Sequence, residues 1–174
     1  MESRSCVLGT GESAGYKPRV NAQYAGFTFG YNCSFVAERV HDILTAVAAA
    51  KSHPQTKRVY LVGWESAGPW VVMARSICDD AVERTAADLN GFRFDGMSAN
   101  DDPMMLPGAL KYGGLATFAA LCAPHEMLLH NHRGTGTGQL VPQAYKATNA
   151  EAKLRREPER MPADQVVTWL MGGR

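Results

Sequence analysis

An α/β fold with a mostly parallel sheet is predicted by three features of this 174-residue chain. Short apolar runs of strand length alternate with longer segments of helical spacing, which implies parallel strands joined by helical crossovers. The first such run turns sharply into a helix through small residues, and a long polar loop follows the second. Composition sets the scale: 45% apolar and 20% charged residues suit one globular domain with a single core.

Taken in order, residues 34–51 carry Val36, Val40, Ile43, Leu44 and Val47 at one-face spacing behind Ser34, a suitable N-cap, and predict an amphipathic helix. After His53-Pro54, the run Val59-Tyr60-Leu61-Val62 predicts a strand buried on both faces. Pro69 is tolerated in a first turn, so a second helix is predicted from about Gly68 to Cys78. Arg84–Leu89 is the second strand, Leu106–Leu121 a mainly helical return, and His125–His130 the third strand. The stretch from Asn90 to Pro107, rich in Gly, Asp, Asn, Ser and Pro, is a long loop at a strand end, where α/β proteins keep function. Beyond Arg133, the tract Gly134–Gly138 is a flexible connection. A polar helix near Gln143–Ala150, a weak strand at Ala152–Glu157 and a terminal helix around Ala163–Met171 complete the chain. The organisation is one domain: an N-terminal segment (1–33), core strands and helices (34–133) and C-terminal helices (134–174).

Eighteen basic against 17 acidic residues are scattered without a phosphate-tracking stripe, which argues against nucleic acid. No apolar run approaches the roughly 18 to 20 residues that cross a bilayer, and no secretory pattern opens the sequence, so a soluble chain without a membrane partner is expected. Cys6, Cys33, Cys78 and Cys122 lie far apart, indicating neither a disulfide framework nor a thiolate metal site.

The densest chemical signal is Leu61-Val62-Gly63-Trp64-Glu65-Ser66-Ala67-Gly68-Pro69-Trp70, a buried strand turning into a helix, which is the context of a nucleophile elbow. Residues two before and two after the apex must be small. Gly63 and Ala67 meet this around Glu65, whereas an apex at Ser66 would put Trp64 in the slot that needs glycine. A carboxylate at the apex can attack carbon or act as a base; a serine needs a histidine. A purely structural tight turn is the competing reading. The formal GxSxG at Gly11–Gly15, centred on Ser13, lacks the strand before it and the helix after it, Cys6-Val7-Leu8 being too short a lead.

His130 and His132 flank Asn131 past the third strand and are the candidate bases; His41 sits beside the first helix's apolar stripe. An HxH pair can bind metal, but a third ligand at a diagnostic spacing is lacking, so neither metal nor cofactor is expected. Carboxylates able to orient a histidine are Asp88, Asp95, Asp101 and Asp102. The Gly134–Gly138 tract lacks the lysine of a phosphate loop.

These segments resemble the α/β-hydrolase superfamily, and within it acetyl xylan esterase and dienelactone hydrolase-like members. The resemblance rests on Gly9-Thr10-Gly11-Glu12-Ser13, similar to the turn after the family's fourth strand, and on Tyr31-Asn32 with Ala37–Leu44, similar to the helix before the nucleophile strand. Leu106–Gly113 and Leu121-Cys122-Ala123-Pro124 resemble the approach to the seventh strand. It implies a partial α/β-hydrolase fold, three-layered and lacking the first strands, including the loop that gives one oxyanion amide. Two departures bear on activity: Glu65 stands where the family has serine, and Arg155-Arg156-Glu157-Pro158-Glu159-Arg160 stands where its histidine follows the last strand.

The expectation is therefore a small carboxylic-ester hydrolase with a non-standard catalytic set drawn from Glu65, Ser66, His130 and His132. The alternative is a non-catalytic relic serving as a binding or assembly module. An open edge on the nucleophile strand would template pairing, so a homodimer or larger oligomer is also expected.

Overall fold

The computed structural model describes residues 7–11, 14–16, 20–133 and 137–172. It has a four-stranded sheet, β1 (Tyr60–Gly63), β2 (Arg84–Asp88), β3 (Glu126–His130) and β4 (Leu154–Glu157), in the order β1-β2-β3-β4 with every pairing parallel. The helices are α1 (Ala25–Tyr31), α2 (Phe35–Ser52), α3 (Ala67–Arg75), α4 (Leu115–Leu121), α5 (Leu140–Ala147) and α6 (Ala163–Leu170). The predicted α/β class and its parallel sheet are thus observed.

Alternation along each strand assigns side chains to two helical layers. Ala87, Leu89, Met127 and Leu129 join the larger core with residues of α2, α3, α4 and α5, while Ala86 and Leu128 meet Met161, Val166 and Leu170 of the α6 layer. β2 and β3 are the two central strands, and in β3 Met127, Leu128 and Leu129 are fully buried, each contributing about 2 kcal/mol of apolar transfer. Its continuous apolar run, which periodicity alone does not assign to either face, reflects cover on both sides.

Ser34 caps α2 as expected, its Oγ accepting from Ala37 N–H. Arg39 on this helix lies between the rings of Phe35 and Trp70, 4.2 and 4.1 Å from their centroids, and its Nε donates to the Leu8 carbonyl. Val7-Leu8, read from sequence as a possible strand lead, forms a turn in which Thr10 N–H donates to the Val7 carbonyl. Cys6 and Ser13 lie outside the described residues, as does most of the Gly134–Gly138 tract.

Three helices differ from expectation. Of the helical return expected over Leu106–Leu121, only Leu115–Leu121 is α-helical, behind a 3-10 turn at Leu110–Tyr112 and the positive-φ Gly113 and Gly114. α1 has no buried residue, so no apolar stripe announced it. α5 begins at Leu140, three residues ahead of the expected start, because Pro142 falls within its first turn, where proline is tolerated. Asn149, with φ of 54°, ends it, and Ala150 N–H reaches back to the Tyr145 carbonyl. Among the described residues no helix is long and apolar enough to cross a membrane.

Candidate functional site

The turn between β1 and α3 lies at the C-terminal edge of the sheet, the edge where open α/β folds place their ligands. Glu65 is its apex, with φ of 52°, a left-handed conformation that costs a β-carbon-bearing residue on the order of 1 kcal/mol. The turn closes through Ala67 N–H to the Trp64 carbonyl and Gly68 N–H to the Glu65 carbonyl. A β-carbon on Gly63 would stand 2.6 Å from the Ala67 carbonyl oxygen, so the steric register read from sequence matches the geometry. Gly68, which that reading did not single out, is tighter still: a β-carbon there would fall 1.7 Å from the Asp88 carbonyl oxygen. Strand β2 and helix α3 touch backbone to backbone at this point.

Above this contact lies a chain of charges. Arg160 Nη2 donates to Glu65 Oε1 at 3.1 Å, and Arg160 Nε stands 3.5 Å from Asp88 Oδ2. Asp88 is fully buried; its Oδ1 accepts from Asn90 N–H at 2.9 Å and from Asn131 Nδ2 at 2.7 Å. Both asparagines end strands in left-handed conformation, φ 45° and 55°, which brings their donors back onto the carboxylate.

His130 is fully buried at the end of β3, in register with Asp88 on β2. Its ring meets that of Trp64 edge-on at 5.5 Å, and its Nδ1 accepts the Met161 N–H at 3.3 Å. Asn131 N–H donates to the Glu159 carbonyl on the same segment. These two bonds pin residues 159 and 161 and so aim Arg160, between them, at the elbow. His130 therefore acts as an acceptor that holds Arg160 in place, and no hydrogen bond joins it to Glu65 or Ser66 among the described residues. Burial pushes its pKa down, and the Arg160 charge adds to this while Asp88 opposes it. His132 is half-buried, with its pKa pushed down first by burial and then by the charge of Arg156 on β4.

Ser66 is exposed, and its side chain makes no capping bond to α3. Its backbone N–H, unlike those of Ala67 and Gly68, enters no turn bond among the described residues. The remaining carboxylates stand elsewhere: Asp95 pairs with neighbouring Arg93, and Asp102 accepts from Met104 N–H within its own loop. The site thus unites Glu65, Asp88, Asn131, His130 and Arg160. Sequence reasoning named Glu65, Asp88 and His130 but assigned no role to Arg160, whose partners lie 95 and 72 residues away in the chain, beyond any local pattern.

The histidine environment fixes a pH dependence. In the unfolded chain His125, His130 and His132 protonate near pH 6.5; in the fold burial lowers all three. The native state then binds fewer protons, so their contribution to stability is full above about pH 6.5 and is lost as the pH falls below it. Protonating His130 would also remove the acceptor for Met161 N–H. Melting temperature measured from about pH 8 to pH 5 is expected to fall on the acid side of that value, with a shallower fall in His130→Gln; identical profiles would remove His130 from the account.

The chain was compared with protein-family models, with curated proteins and with solved structures, and none matches it.

Proposed function

We propose that this chain is a small carboxylic-ester hydrolase of α/β-hydrolase type in which the elbow carboxylate replaces a serine–histidine pair. The observation that carries the reading is Glu65 itself: a charged residue kept in a left-handed apex, where glycine would be free of strain, at the ligand-binding edge of a parallel sheet. Asn90 and Asn131 take the same conformation at this edge to donate to Asp88, whereas Glu65 presents an exposed carboxylate there.

In the proposed reaction the Glu65 carboxylate takes a proton from a water as its oxygen attacks the ester carbonyl. The carbonyl electron pair moves to oxygen, where the Ser66 amide stands as a donor at the start of α3. Collapse of the tetrahedral species expels the alkoxide, which takes the proton back from the Glu65 carboxyl. Acid and alcohol leave, and the carboxylate is regenerated. Arg160 keeps the carboxylate on the edge, and Ser66 contributes through its backbone, not its hydroxyl.

Hydrolysis of p-nitrophenyl acetate and butyrate by wild type, Glu65→Gln and Ser66→Ala tests this. Glu65→Gln is expected to lose roughly 100-fold or more in kcat, the usual contribution of a general base, with Ser66→Ala within a few-fold of wild type. A Ser66→Ala loss of the same size would instead make the hydroxyl the nucleophile.

The second reading, a non-catalytic module of the same type, is favoured by one specific observation: His130 is sealed inside the fold with Nδ1 already accepting from Met161 N–H, so it is not placed to carry a proton to or from Glu65. Background rates in all three proteins would establish it. Self-association belongs to both readings. β1 pairs with β2 alone among the described strands, leaving an open edge for a second copy. Size-exclusion chromatography with light scattering should give a dimer or larger species, and a monodisperse monomer would refute this part.

A further inference from the structure

Beside the elbow lies an open cleft of about 320 Å³ lined by Trp64, Arg160, Met161, Pro162 and Ala163. Four of these side chains are apolar and the fifth is a cation. That composition, an apolar wall with one fixed charge, is what a small amphiphilic anion requires, and the volume sits at the small end of ligand sites.

The guanidinium is held from one side and loosely occupied on the other. Asp88 anchors Arg160 at Nε, and Asp88 is itself fixed by two donors and fully buried. The pinned neighbours Glu159 and Met161 fix the backbone on either side. On the outer side Nη2 meets Glu65, whose side chain is 61% exposed. Exposed ion pairs are worth about 1 kcal/mol or less, so Glu65 can yield its place to another carboxylate and return to water at little cost. Asp88 stays beneath Arg160 in either case, and a planar guanidinium set in advance is the preferred partner of a carboxylate.

We propose that this cleft binds a small aliphatic monocarboxylate, its carboxylate on the Nη groups of Arg160 in place of Glu65 and its short chain against Trp64, Met161 and Pro162. Glu65 is then a competitor built into the site. The acid is also the product class of the ester cleavage proposed above. Binding, however, needs no turnover, and the ligand class follows from the cleft and Arg160 alone.

The test is titration of sodium butyrate into the 174-residue chain, followed by the Trp64 indole resonance, with sodium chloride at matched ionic strength and butylamine as controls. Saturable binding of butyrate is expected, with no saturable response to either control. Glu65→Gln should bind several-fold tighter because the competitor is gone, and Arg160→Gln roughly tenfold weaker or worse, the scale of one charge-assisted contact. The opposite signs protect the test if Arg160→Gln fails to fold, since Glu65→Gln alone then decides it. Lack of saturable binding in both wild type and Glu65→Gln overturns the proposal. So does an affinity in Glu65→Gln no higher than in wild type, full affinity in a folded Arg160→Gln, or an equal response to chloride. Butyrate binding without ester turnover removes only the hydrolytic reading, and turnover without butyrate binding removes only this one.

Discussion

Gly68→Ala is expected to yield little folded protein. The added β-carbon would stand 1.7 Å from the Asp88 carbonyl oxygen and 2.5 Å from its carbonyl carbon, both backbone atoms of a strand paired on each side. A flexible side chain could swing away; here β2 or α3 has to move as a whole. Overpacking by a methyl group in a well-packed core costs about 1–3 kcal/mol, and a clash between two backbones belongs at or above the top of that range. Opening this contact would also displace Asp88 and tilt the elbow, so stability and site geometry fall together. Soluble yield and the urea midpoint measure the effect, with Ala67→Gly as a mild comparison because that position already carries a β-carbon. A wild-type midpoint for Gly68→Ala would mean that strand and helix do not approach as closely as described.

The second large effect concerns the buried carboxylate. Arg160→Ala strips Asp88 of its counter-charge, and an uncompensated buried charge costs about 3–5 kcal/mol when the lost partner is itself buried. Arg160 is 55% exposed, and water entering the vacated cleft relieves part of the penalty, so about 2 kcal/mol is the expected loss. In the Arg160→Ala background, Asp88→Asn should then restore part of the stability. The amide needs no counter-ion and its oxygen still accepts from Asn90 N–H and Asn131 Nδ2. In the wild-type background Asp88→Asn should be destabilising. A double-mutant cycle by urea denaturation is expected to show coupling on the order of 1 kcal/mol or more; strictly additive losses would show that Arg160 and Asp88 do not compensate each other.

Both effects converge on the edge where α3 starts, and they differ in how far the amino-acid sequence announced them. The elbow was legible because its cause is local. Gly63, Trp64 and Ala67 lie within a few residues of the apex, and the size of each side chain decides which residue can occupy the left-handed position. The same holds for the strands, since the apolar runs of β1 and β3 and the one-face stripe of α2 are patterns of near neighbours. α1 left no such trace because it buries nothing. β4 was only faintly legible, its Leu154-Arg155-Arg156-Glu157 being half-buried and largely charged.

The sequence by itself determined the α/β class, the parallel sheet and Glu65 at the apex of the elbow, all of which follow from periodicity and short-range sterics. Only the tertiary structure decided that Arg160, 95 residues along the chain, is the partner of Glu65. It also decided that His130 is enclosed by Trp64 and Met161 with its ring Nδ1 accepting the Met161 backbone N–H, and that Asp88 anchors the cation. Those roles depend on how the segment after β4 crosses the ends of the other strands, a matter of packing between distant elements that no local pattern of residues encodes.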